Sequence, residues 1–106
     1  MYRQGDVLLI PISGELVPTG AWPVPRDARG RLVLARGEAT GHAHAVAAHD
    51  AELLADPDDV DRRFLRIVST GLLTHEEHRT IPLPPGLYRV ARQREYSPDA
   101  VRYVAD

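Results

Sequence analysis

The sequence contains no cysteine, no lysine and no asparagine, and only one methionine, one tryptophan and one phenylalanine. The missing cysteines exclude disulfide staples, thiolate metal ligands and a thiol nucleophile. Every one of the 13 basic residues is arginine. Together with the many alanines this reads as the codon bias of a GC-rich genome, so arginine by itself says little about bidentate recognition. Positive charge is not in excess. The net charge of −2 disfavours a nucleic-acid partner. No apolar run is long enough to span a membrane. The opening MYRQGDVLLIPI is a poor secretory signal, because Asp6 and Pro11 interrupt it, and a cytoplasmic location is the expectation. Ser13, Ser69 and Ser97 lack a nucleophile-elbow context, and no glycine-rich phosphate loop is present.

What remains is a chain of 106 residues, 43% apolar and 26% charged, which fits one globular domain, residues 1–106. Nine prolines and eight glycines cut it into short pieces. Asp6 to Ile12, Arg31 to Ala35, His42 to Ala48 and Phe64 to Val68 read as strands bounded by turn residues. Val17 to Gly30 carries three prolines and reads as a long loop, with Trp22 as a lid over the core in the preferred reading and a partner-contact residue in the other. Ala51 to Arg63 reads as a short apolar piece running into an acidic loop. Thr80 to Leu83, the turn Pro84-Pro85-Gly86 and Leu87 to Tyr96 read as a hairpin. Its second arm, with Arg89, Arg92 and Arg94 between two tyrosines, reads as an exposed strand. Ser97-Pro98-Asp99 suits the start of a short helical turn. The fold class expected is mainly β: a small single-domain barrel or sandwich of about eight strands.

All five histidines fall in two clusters, His42, His44 and His49, then His75 and His78. Residues two apart on a strand share a face, so His42 and His44 aim both rings into one space, with Ala43, Ala45 and Ala47 opposite. Paired imidazoles suit a borderline divalent cation: zinc, iron, nickel or manganese. The second cluster is His75-Glu76-Glu77-His78. Leu72-Leu73-Thr74 before it and Thr80 to Leu83 after it favour strand, on which only one of its histidines could join the first pair, and His75, in phase with Leu73, is the preferred one. On a helical turn both would share a face. Glu76 and Glu77 are the candidate catalytic carboxylates, as proton acceptors, as a fourth ligand or as partners of a ligating ring. His49 reads as an exposed residue.

The His42-x-His44 pair resembles the first motif of the cupins, small β-barrels that usually bind a metal through histidines on adjacent strands. Gly37 stands one residue closer than that motif requires, and His49 stands where its glutamate would be. Pro84 and Gly86 match part of the second motif, whose ligand position is occupied by Arg89. The resemblance implies a site inside a barrel, with His75 or His78 supplying the missing ligand. The opening QGDVLLIPI also resembles the first strand of co-chaperonin barrels, with VPTG and the prolines after it similar to their mobile loop.

These observations lead to a small metal-binding β protein, with a small-molecule substrate if it is an enzyme. The alternative is a non-catalytic module that meets a protein or nucleic-acid partner. A homodimer is the commonest assembly for such a chain.

Overall fold

A computed structural model of the chain describes residues 1–37 and 40–93. Strand β1 (Tyr2–Gln4) turns through Gly5-Asp6 into β2 (Val7–Pro11), with Gln4 opposite Val7. Gly5 has φ 60° and Asp6 does not have positive φ. That combination is the two-residue type II′ hairpin, which asks for glycine at its first central position and matches the twist of the flanking strands. The strand expected from Asp6 is therefore preceded by a partner strand that the alternation of so few residues did not reveal.

A short 3₁₀ turn (Gly14–Leu16) is capped by Ser13 and leads into the proline-rich segment. That segment contributes one two-residue strand, β3 (Trp22–Pro23). Trp22 pairs with Ala55 at a sheet edge and is 41% exposed, so it is not a lid over the core. Then follow β4 (Leu32–Arg36), β5 (Ala43–Ala47) and β6 (Ala51–Asp56). The expected acidic loop is instead a hairpin: Pro57-Asp58 joins β6 to the nine-residue β7 (Asp59–Ile67). Asp56 Oδ1 accepts the Asp58 N–H at 2.8 Å, a local bond that closes this turn. The exposed first half of β7 carries the acidic residues as a solvated strand. The described strands end with β8 (Gly71–Thr74), β9 (Ile81–Leu83) and β10 (Gly86–Arg92).

These strands form two antiparallel sheets, β1-β2-β10-β7-β6-β3 and β4-β5-β8-β9. The fold is thus mainly β, as expected, but the sheets do not close into a barrel. Both contribute to one core, in which Leu9, Leu53 and Leu65 of the first sheet join Leu32, Leu34, Val46, Leu73 and Leu83 of the second. Burying each such leucine contributes about 1.5–3 kcal/mol, so this shared core is what fixes one sheet against the other. Pro84-Pro85-Gly86 does not close a hairpin. It carries the chain from β9 in one sheet to β10 in the other, and Tyr88 donates its hydroxyl to the Pro84 carbonyl at 2.8 Å across that corner. Strand β10 is central, between β2 and β7, with Tyr88, Val90 and Ala91 buried. It is not the exposed strand that its arginines suggested. The expected turn at Ser97-Pro98-Asp99 lies outside the described residues. No helix among the described residues is long and apolar enough to cross a membrane.

A candidate metal centre at the meeting of the two sheets

Three pieces of chain converge at the site: the Gly5-Asp6 turn of the first sheet, the start of β5, and the loop after β8. On β5, His44 shares a face with the core residue Val46, so the strand aims its ring along the inner side of the sheet. It is only 7% exposed. His42, just before the strand, is half-buried and points into the same space. The strand parity that selected one of His75 and His78 does not apply, because β8 ends at Thr74. Residues 75–78 bend instead, and the bend is held by the Glu77 N–H, which donates to His75 Nδ1 at 3.0 Å. Both histidines therefore reach the site. The His75 ring centroid lies 4.3 Å from that of His44 and 4.5 Å from that of His78. His42 meets His75 edge-on at 5.6 Å.

The nitrogens of His44, His75 and His78 lie close enough together to hold one ion, each within 4.8 Å of the others. A second set with the same property is His42, His75 and Glu76. A cavity of about 210 Å³ opens over the cluster, lined also by Asp6, Arg36, Thr40 and Arg92.

Gln4 sets the chemistry of His44. Its side-chain amide is buried and donates to two backbone carbonyls, Leu73 at 3.0 Å and Arg79 at 2.9 Å. Both donor hydrogens are thereby used, which leaves Oε1 as an acceptor facing His44 Nδ1 at 2.9 Å. His44 must carry its proton on Nδ1, so Nε2 presents a free lone pair. A ligating histidine is usually held in this way by an acceptor on its other nitrogen. The same glutamine bonds a strand of one sheet to a strand and a loop of the other, so the site and the packing of the sheets share a residue.

The electrostatics favour neutral rings. Burial, aided by the neighbouring His75, pushes the His44 imidazole down to about 4. Burial and then the charge of His78 lower that of His75. Near neutral pH these nitrogens are unprotonated acceptors ready for a cation. The carboxylates differ in their placement. Glu76 Oε1 accepts the Ala43 N–H at 2.9 Å, and that bond is the main reason its carboxyl group sits below its ordinary range. Glu77 Oε1 lies 3.3 Å from His42 Nδ1. Asp6 Oδ1 lies 3.8 Å from His44 Nε2, while its other oxygen accepts from Arg92 Nε at 2.9 Å.

All four histidines expected at the site are thus brought together with Glu76 and Glu77. His49 is exposed and lines a different concavity, beside Arg26 and Arg29. Arg89, at the position of the second cupin ligand, lines yet another, with Phe64 and Leu16. Neither belongs to the histidine cluster. Sequence reading missed Gln4, Gly5, Asp6 and Arg92. A signal for the first three was present, since Gly-Asp between two strands is a hairpin signature. None marked Arg92, whose place depends on β10 pairing with β2.

Fold and site together define a two-sheet β domain with a histidine-rich pocket where the sheets meet. Residues 3–93 match the family described as Domain of unknown function (DUF8820), and the chain belongs to that family. The matched span includes all five histidines and the Gln4-Gly5-Asp6 turn. No curated protein and no solved structure matches the chain.

Proposed function

We propose that this protein binds a divalent transition metal through His44, His75 and His78, and that the bound ion remains accessible to a small ligand. The observation that carries this reading is the donor geometry: three imidazoles converge, one buried and held by Gln4 in the tautomer that a ligand needs. Uncoordinated imidazoles crowd one another, and protonation would add repulsion, so the arrangement is explained by an ion that all three can share. Three neutral donors leave a coordination position open and leave the ion its full charge, the condition for Lewis-acid chemistry. Zinc, iron, nickel and manganese all suit such donors. Glu77 stands on the rim of the cavity as the carboxylate placed to exchange a proton with a molecule bound there. A cupin-like role in this sense, a histidine-held metal acting on a small substrate, is consistent with the site even though the sheets form no closed barrel.

Cobalt(II) added to tag-free, metal-stripped protein tests the reading. The expected result is a saturable visible spectrum of imidazole-bound cobalt. With less than one equivalent of cobalt, azide should shift the spectrum, the H44A/H78A double variant should lose the tightly bound species, and His49→Ala should keep it. A spectrum of hydrated cobalt with the wild-type protein would overturn the proposal.

A further inference from the structure

The four clustered histidines and Glu76 form two overlapping triads rather than one set, and His75 belongs to both. His44 and His78 complete the first triad with His75. His42 and Glu76 complete the second. Zinc–nitrogen bonds of about 2.0–2.1 Å bring all the donors of one ion close to one another, so a single ion takes one triad and leaves the other's remaining residues unused. From this geometry we infer a second metal seat at His42, His75 and Glu76, next to the first and joined to it by the His75 ring. The inference rests on the metal-binding reading above and goes beyond it in number and in the role of His75.

Three features support the second seat. Glu76 is fixed in place: one oxygen accepts the Ala43 N–H, and the carboxylate keeps further lone pairs for an ion. Charge also favours it. Two divalent ions close together need compensation, and Glu76, Glu77 and Asp6 each lie beside one of the ligating histidines or ligate directly. Finally, imidazole has two nitrogens, and one ring can bind an ion at each. Doing so removes its remaining N–H proton to solvent and displaces the Glu77 N–H from His75 Nδ1.

The seats are not equal. The first contains the buried His44, whereas the second is made of half-buried and exposed residues. An ion in the second seat competes with water, and an ion on each nitrogen of His75 costs the bond that shapes the 75–77 bend. The two ions should therefore load in sequence, the second at least ~10-fold more weakly, the lower end of what a disturbed ligand environment costs in metal affinity.

Zinc titration of tag-free, metal-stripped protein by calorimetry, with zinc content checked by elemental analysis, decides the matter. The wild type should take up two zinc ions per chain in two steps. A double variant, His42→Ala with Glu76→Gln, should take up one and keep the tight step. The glutamine retains an oxygen for the Ala43 N–H, and both side chains are outside the core, so the fold is spared. His75→Ala should weaken both steps at least tenfold. One zinc in the wild type would overturn the second seat and leave the first standing. Two zinc ions in the double variant would place the second ion elsewhere and also overturn it. No zinc in the wild type would remove the metal-binding reading and this inference with it.

Discussion

His44 is the only buried histidine of the five, and its position follows from one parity rule applied to His42-Ala43-His44-Ala45-Val46. A strand that buries Val46 must turn His44 the same way. That much is readable from the residues alone. The hydrogen bond that makes His44 useful is not, because Gln4 lies 40 residues away in sequence and in the other sheet. The burial has a thermodynamic consequence. In the metal-free protein the His44 imidazole is held at about 4, against the 6.5 that a histidine ordinarily shows in an unfolded chain. Above pH 6.5 the ring is neutral in both states and its contribution to stability is complete. As pH falls toward 4 the unfolded chain takes up a proton that the folded chain resists, so stability declines through that window. The total is about 3 kcal/mol for a shift of this size. Urea unfolding of chelated protein between pH 7 and 4 should show this loss, and His44→Gln should flatten the profile over the same range. Equal slopes for the two proteins would show that His44 does not resist protonation.

At the scale of elements, the site depends on two turns. The Gly5-Asp6 turn passes directly over the histidines. A Cβ on Gly5 would sit 2.9 Å from His78 Nε2 and 3.2 Å from His44 Cε1, and its φ of 60° is one that other residues rarely adopt. Gly5→Ala should lower stability by about 1–2 kcal/mol through backbone strain. It should also displace the His78 ring and reduce metal affinity by ~10-fold or more, read by metal titration beside thermal unfolding. An unchanged affinity would mean that His78 does not ligate.

The second turn, residues 75–78, shows where sequence reading fails. The apolar residues on either side favoured strand, whereas the chain bends as soon as β8 ends, and the bend rather than parity brings both histidines inward. Pro84-Pro85-Gly86 shows the same limit in another form. Its residues specify a change of direction, which is what the chain does there. They do not specify whether the next strand remains in the same sheet. That choice was made by burial of Tyr88 and Val90 between β2 and β7.

At the scale of the molecule, two sheets of six and four strands among the described residues share one core, and the metal-ligating candidates collect where Gln4 of one sheet reaches the loop of the other. The β class was legible from short apolar runs divided by glycine and proline. The strand order was not, because it rests on pairings such as Val90 with Leu9, far apart in the chain. Only the assembled fold brings His42 and His44 together with His75 and His78, with 30 residues of chain between His44 and His75. The most direct test of the account is the coordination of a metal bound to the intact chain. Zinc should be added at less than one equivalent to tag-free, metal-stripped protein, and its X-ray absorption spectrum recorded. The account expects about three imidazole nitrogens at about 2.0–2.1 Å, with a light atom from solvent completing the sphere. A first shell of oxygen alone, without imidazole scattering, would contradict it.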